Sequence, residues 1–112
     1  MALSSAASAQ TQSFTVNCAR GQTIAEALEK GDARKPLVVT VRGTCNESVN
    51  LRRDDVTLRG DPSVGGTING VSTADTVAIN GTRILIDGLT LTGGANGLGI
   101  YGVHSVEVTN ST

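Results

Sequence analysis

The segment from Val77 to Ile100 limits the folds that this chain can adopt. Its apolar residues alternate with polar or small residues in short runs, and a glycine-containing dipeptide follows each run. A helix would place apolar residues three and four positions apart, whereas a period of two broken by turn dipeptides favours one β-strand after another. The alternating apolar residues are Val77, Ile79, Ile84, Ile86, Leu89 and Leu91, and the dipeptides are Asn80-Gly81, Asp87-Gly88 and Gly93-Gly94.

The same apolar triplets recur along the chain at fixed offsets. Two triplets recur 28 positions later, and their next copies follow after 21 and 22 positions. The matching triplets are Val49–Leu51 with Val77–Ile79 and Leu98–Ile100, and Val56–Leu58 with Ile84–Ile86 and Val106–Val108. The longer first offset is explained by a loop-like insert over residues 61–66. A repeat of roughly 20–30 residues made of strands and turns predicts a β-solenoid.

Charged residues support this register. At the offset of 28, Asp55 aligns with Arg83 and Arg59 aligns with Asp87. Neighbouring strands lie about 4.8 Å apart, so each pair would bring opposite charges together. We expect surface ion pairs at both places.

A like-charged alignment bears on cofactors. Glu47 aligns with Asp75, and Asn96 follows 21 positions later. Two solvated carboxylates that splay apart are one interpretation. A stack held by a hard cation such as calcium is the other, because such ions need several converging oxygens. We expect no cofactor and leave calcium as the alternative.

Composition narrows the class of protein and its partners. The 112 residues fit one domain, and Phe14 and Tyr101 are the only aromatic residues. A narrow solenoid interior filled by Val, Ile and Leu needs no more, and 14 glycines suit many corners. The net charge of −1 and the lack of a basic cluster argue against nucleic acid as a partner. No apolar run reaches membrane-spanning length, so we expect no membrane partner.

The N-terminal residues suggest export. Residues 1–12, MALSSAASAQTQ, are small and polar, and we interpret them as a disordered leader remnant before a single domain over residues 13–112. Ala7-Ser8-Ala9 resembles the cleavage end of a secretory signal, although a plain disordered tail is the alternative. We expect a secreted or periplasmic protein.

A single helix is predicted over about residues 23–30. Thr23 and Glu26 form a capping-box pattern, and Gly31 is expected to end the helix in the left-handed conformation. Two turns are too short to be stable alone, so the helix is expected to cap the N-terminal end of the solenoid. Its apolar face is predicted to comprise Ile24, Ala25 and Leu28, lying on Leu37, Val39 and Val41.

The two cysteines bracket this predicted cap. A Cys18–Cys45 disulfide is the default expectation in an exported protein, and it would close a loop of about 27 residues. Two buried free thiols are the alternative. His104 is the only histidine and lies far along the chain, which disfavours a metal site or Cys–His catalysis.

The last predicted turn of the solenoid has no cover in the sequence. An uncovered strand edge is a template for pairing with another chain. We therefore expect a homodimer through this end, with a two-fold axis and both helical caps facing outward. The expected interface residues are Leu98, Ile100, Val106 and Val108.

The chain from Phe14 onward resembles bacterial secreted right-handed parallel β-helix proteins of the pectate-lyase-like superfamily. The resemblance is carried by VNCARGQTIAEALEK, LVVTVRGTCNESVNLRRDDVTLRG, TVAINGTRILIDGLTLTGG and NGLGIYGVHSVEVTNS. Its more specific parts are Gly43-Thr44-Cys45 and the Ile-Asp-Gly-Leu-Thr corner at residues 86–90. It implies an all-β fold: a short right-handed parallel β-helix of about three to four rungs with an N-terminal capping α-helix.

The resemblance implies a fold more than a reaction. No calcium-site aspartates and no catalytic Arg or Lys map onto this chain, so no catalytic, cofactor or metal residue is assigned. The first functional expectation is a non-catalytic assembly module that self-associates through its last rung. The alternative is a polysaccharide lyase, glycoside hydrolase or carbohydrate-binding domain, or the N-terminal fragment of one. Candidate ligand-binding residues for that alternative are Asp54, Asp61, Asp87 and Tyr101.

Overall fold

The computed structural model describes residues 11–32, 34–96, 98–100, 106–109 and 111. These residues form many short strands and one α-helix, which confirms the prediction of a β-rich protein. The elements are β1 (Gln12–Asn17), a 3-10 turn (Cys18–Arg20), α1 (Ile24–Lys30), β2 (Leu37–Cys45), β3 (Val49–Leu51), β4 (Val56–Gly60), β5 (Gly66–Asn69), β6 (Val77–Ile79), β7 (Ile84–Asp87), β8 (Leu89–Thr92), β9 (Leu98–Ile100) and β10 (Val106–Thr109). Strand β1 begins at Gln12, the last residue of the predicted leader, and residues 1–10 lie outside the described ranges.

All strand pairs among these elements are parallel. They form a first ladder β1-β2-β4-β7-β10, a second ladder β2-β5-β8 and a third ladder β3-β6-β9. The register confirms the predicted offsets. Val49 pairs with Val77 and Val56 with Ile84, and the next partners are Leu98 and Val106.

Strand β2 belongs to two ladders because it bends at Gly43. Residues 37–41 pair with β4, whereas residues 43–45 pair with β5. Gly43 has a φ of 80°, a conformation that glycine adopts without the steric cost that a Cβ atom would bring. At this residue one continuous strand passes from the first ladder to the second.

The second ladder follows its own period. Gly43 pairs with Gly66 and Gly66 pairs with Leu89, so both steps are 23 residues long. The connection from β4 to β5 spans residues 61–65, whereas the equivalent connection from β7 to β8 is Gly88 alone, so no single offset aligns all three ladders. Ile68 of β5 lies outside the repeated apolar triplets and is fully buried.

The core consists of aliphatic side chains stacked in register. Val39 pairs with Leu58 and Leu58 with Ile86, and all three are inaccessible to solvent. Each buried side chain of this size contributes about 1.5–3 kcal/mol relative to an exposed one. Phe14 is only partly buried against this cluster, so aliphatic stacking rather than aromatic packing fills the interior.

The predicted start of the helix is confirmed. The Thr23 hydroxyl accepts a hydrogen bond from the backbone N–H of Glu26, and the Glu26 carboxylate accepts one from the N–H of Thr23. The buried face differs from the prediction, because Ala27 is buried and Ala25 is exposed. Positions 24, 27 and 28 share one helical face, which corrects the predicted face of Ile24, Ala25 and Leu28.

The predicted end of the helix is wrong in its conformation. Gly31 has φ −72° and ψ 140°, so it is extended rather than left-handed. A Cβ atom on Gly31 would lie 3.1 Å from Cδ2 of Leu37, so close packing is the structural role of this glycine. Within the described ranges, no helix is long and apolar enough to cross a membrane.

Candidate functional site

A disulfide closes the N-terminal region. Cys18 follows β1, Cys45 ends β2, and the two are bonded with a Cα–Cα distance of 5.2 Å. The sequence separation is 27 residues, as predicted. The alternative of two free thiols is therefore wrong.

The carboxylate of Glu47 binds the beginning of α1. Its Oε2 accepts a hydrogen bond from the N–H of Ile24 at 2.8 Å, and its Oε1 accepts one from the N–H of Ala25 at 3.3 Å. Asp75 instead accepts a hydrogen bond from the amide of Asn96 at 2.9 Å. The aligned carboxylates of Glu47 and Asp75 thus have separate partners, and the helix contact had no signal in the sequence.

Arg53 ties the chain after the helix to the third ladder. Its guanidinium donates to the carbonyl oxygens of Asp32 at 3.1 Å, Asp54 at 3.2 Å and Lys35. The preceding Arg52 is exposed and makes no such contact among the described residues. The basic pair of the sequence therefore divides into one structural and one solvent-facing arginine.

A cleft of about 350 Å³ lies between the second half of α1 and β3. Leu28 provides exposed apolar surface in its lining, which also includes Leu51 and the charged residues Glu29, Arg52 and Arg53. Leu51 is fully buried and Leu28 is half-buried. We refer to this feature as the α1–β3 cleft.

The predicted Asp55–Arg83 pair is confirmed. Nε of Arg83 lies 2.5 Å from Oδ1 of Asp55, and Nη2 lies 3.1 Å from Oδ2. Both residues have positive φ values, 58° and 57°, and they occupy equivalent corners of successive repeats. The hydrogen bond from Arg83 lowers the pKa of the Asp55 carboxyl below its ordinary value. Arg59 and Asp87 are register partners, as predicted.

Two of the candidate ligand-binding aspartates lie at opposite ends of β4. Asp54 precedes β4 and accepts a hydrogen bond from the N–H of Thr82, whereas Asp61 follows β4. Strand β4 has five residues, and an extended strand of that length spans about 16 Å. The paired carboxylates of glycosidases lie at most about 9.5 Å apart. Asp54 and Asp61 are therefore not such a pair, and Tyr101 lies outside the described residues.

Asp61 instead organises the turn after β4. Its Oδ1 accepts hydrogen bonds from the N–H groups of Ser63 at 2.7 Å and Val64 at 3.1 Å. These bonds lower the pKa of the Asp61 carboxyl. Nε of Arg42 lies 3.1 Å from its Oδ2. A carboxylate held ionised by a turn is poorly suited to act as a general acid.

The last strand of each ladder, in chain order, has one edge without a strand partner in the described ranges. These strands are β10, β8 and β9. Of the predicted interface residues, Val108 is 44% exposed and Leu98 is partly buried against the core. For Ile100 and Val106 the backbone positions in β9 and β10 are described.

A shallow trough of about 200 Å³ crosses the second ladder. Thr44 pairs with Thr67 and Thr67 with Thr90, so the three residues form a column along its floor. Val64 and Gly65, from the turn organised by Asp61, form one wall. The lining has no charged side chain.

Within the described residues, the only group of three side chains close enough to hold a metal is Cys18, Cys45 and Glu47, and the two sulfur atoms are already bonded to each other.

No protein-family model, no curated protein and no solved structure matches this chain.

Proposed function

We propose that this chain is a short right-handed parallel β-helix of the pectate-lyase-like kind and acts as a non-catalytic assembly module. In this proposal α1 and the disulfide cap one end, and the edge of β8, β9 and β10 pairs with a second copy. The observation that carries the proposal is that, within the described residues, the last strand of each ladder has no strand partner on one side. Unpaired backbone groups along such an edge favour strand pairing.

The proposed dimer is isologous. A two-fold axis at the β8–β9–β10 edge would bring each edge strand against a strand of the second copy, and it would place both helices at the outer ends. Val108 would then lose its solvent exposure. The disulfide supports a proposed location outside the cytoplasm, secreted or periplasmic, because thiols in the cytoplasm are kept reduced.

The test is the absolute molar mass by light scattering after size exclusion, over a range of protein concentrations. We expect a dimer for the natural chain and a monomer for Val108→Lys, since a charge would be buried at the interface. Val64→Lys is the control, because Val64 is 58% exposed and lies in the turn before β5. A monomer at every concentration, or an unchanged mass for Val108→Lys, contradicts the proposal.

Carbohydrate binding is the second candidate function, and the trough on the second ladder favours it. Threonine hydroxyls repeating at the strand spacing of about 4.8 Å offer donors and acceptors to an extended hydroxylated chain. We expect saturable binding of an oligosaccharide, measured by titration calorimetry across a panel of neutral and acidic glycans.

Matched substitutions test this second candidate. Thr67→Val removes a hydroxyl from the trough, whereas Thr57→Val removes one from the first ladder. We expect only the former to weaken glycan binding, by about fivefold. Incubation with polygalacturonate, with and without calcium, separately tests the lyase alternative. Equal effects of the two substitutions would argue against the trough as the site.

A further inference from the structure

Strand β3 has a free backbone edge on the side opposite β6. The N–H of Val49 donates to the carbonyl oxygen of Thr76 at 2.8 Å, and the carbonyl oxygen of Leu51 accepts from the backbone N–H of Asn80 at 2.8 Å. Both residues therefore direct their backbone groups toward β6. Successive residues in a strand direct these groups to opposite sides. The N–H and C=O of Asn50 thus point away from β6, and no residue in the described ranges pairs with them.

This free edge opens into the α1–β3 cleft. Asn50 is part of the cleft's lining, together with the half-buried Leu28. The cleft volume of about 350 Å³ lies within the range of about 300–1,000 Å³ that is typical of ligand sites. A free strand edge beside an apolar recess is the arrangement that recognises extended peptides, because the edge binds the backbone and the recess binds one side chain.

The charges at the cleft favour a peptide in which an acidic residue lies next to the apolar residue that enters the recess. Arg52 is exposed, and Arg53 has directed its N–H groups to backbone carbonyls. Glu29 is the single carboxylate of the lining, so the two arginines leave an excess of positive charge. A guanidinium whose donors are unused binds carboxylates strongly.

We propose that the α1–β3 cleft binds an extended segment of a partner protein by strand addition to β3. The segment pairs with the N–H and C=O of Asn50. One of its apolar side chains packs on Leu28, and an adjacent Asp or Glu contacts Arg52. This proposal is independent of self-association, which concerns the β8–β9–β10 edge.

The experiment titrates the full chain with the capped peptide acetyl-Thr-Val-Leu-Asp-Val-Thr-amide and follows amide hydrogen exchange by NMR. In the free protein, we expect the Asn50 amide to exchange rapidly and the Leu51 amide slowly. At saturating peptide, exchange at Asn50 should slow by about tenfold or more, because its N–H gains a partner. No saturable shift at millimolar peptide, or saturation without protection of Asn50, overturns the proposal.

Two controls separate strand addition from nonspecific attraction. Two versions of the peptide are N-methylated at alternate residues, one at the odd and one at the even positions, so that each lacks the N–H donors on one side of the strand. We expect one of these two versions to lose binding. Arg52→Glu should weaken binding by about tenfold, whereas Arg20→Glu makes the same charge change at an exposed position beside the disulfide and should have little effect. Equal weakening by both substitutions would overturn the assigned site. Val108→Lys should bind the peptide normally.

Discussion

The N-terminal region and the β8–β9–β10 edge belong to the same parallel ladders, but they differ in the contacts that hold their ends. Around β1, α1 and β2, side chains distant in sequence bind backbone groups: Glu47 binds the helix start, and Arg53 binds three carbonyls. A disulfide adds a covalent tie. At the later edge, the described contacts include a long bond of 3.4 Å from the N–H of Leu89 to the hydroxyl of Ser111.

The two regions differ in what their side chains bind. Along the repeats, backbone pairing and aliphatic stacking are supplemented by side-chain bonds between equivalent corners, such as Asn80 to Asn50 and Arg83 to Asp55. At the N-terminal end the ladder gives way to a helix, and the free backbone groups of that junction need individual partners. Substitutions at the junction should therefore have larger effects than those along the ladders.

The largest effect is expected from removing the disulfide. We expect Cys18→Ser with Cys45→Ser to lower the free energy of unfolding by about 3–4 kcal/mol, because the closed loop spans 27 residues. Urea unfolding of this variant measures the loss. The natural chain with reductant should show a similar loss, and unchanged stability would mean that the cap is held by noncovalent contacts alone.

Arg53→Ala should have the next largest effect. The substitution leaves three backbone carbonyls without their charged donor, and we expect a loss of about 2–3 kcal/mol. Arg52→Ala is the matched control, since its side chain is exposed. Urea midpoints that fall equally for both variants would contradict the division of the basic pair.

Glu47→Gln tests the helix contact with little change of shape. A neutral amide interacts less favourably with the positive end of the helix, so we expect a loss of about 1 kcal/mol. Glu29→Gln, on the exposed side of the same helix, should leave thermal unfolding nearly unchanged. A larger effect from Glu29 would show that the helix start is held in another way.

The smallest effect is expected at the Asp55–Arg83 corner, which lies within the repeats. Asp55→Asn keeps a residue that tolerates positive φ and removes the charge. The pKa of Asp55 is lowered in the folded protein, so its stabilisation is present above the ordinary value of 3.8 and is lost as the pH falls through the folded-state pKa.

The measurement is urea unfolding of both proteins at several pH values. The stability difference should stay below about 1 kcal/mol, because the pair is exposed, and it should be constant above about pH 5. It should decrease as the pH falls below the ordinary pKa of 3.8, because protonation removes the charge of Asp55. A difference that grows on acidification would contradict the assigned pairing.

The sequence predicted the parts of the fold that depend on local pattern. Alternating apolar triplets gave the register of the first and third ladders, and the Thr23–Glu26 pattern gave the helix start. The conformation of Gly31 was missed because it depends on the position of Leu37, a contact that no local pattern records.

The candidate site was less predictable for the same reason. Asp54, Asp61 and Asp87 stood out as isolated acidic residues, but Asp61 serves its own turn and Asp54 lies at the other end of β4. The α1–β3 cleft joins residues about twenty positions apart through packing of the helix, which periodicity does not reveal. Arg52 and Arg53 look equivalent in sequence and differ only in which carbonyls lie within reach.

The pairing offsets also set an order in which the protein can be made. Apart from β1 and β3, each described strand pairs with one that precedes it by 19 to 28 residues, from the step between Leu37 and Val56 to the step between Val56 and Ile84. A ribosome therefore delivers the partner of each new strand shortly before the strand itself. The region closed by the disulfide is synthesised first. The later strands can then pair one after another with strands that have already been synthesised, while translation continues.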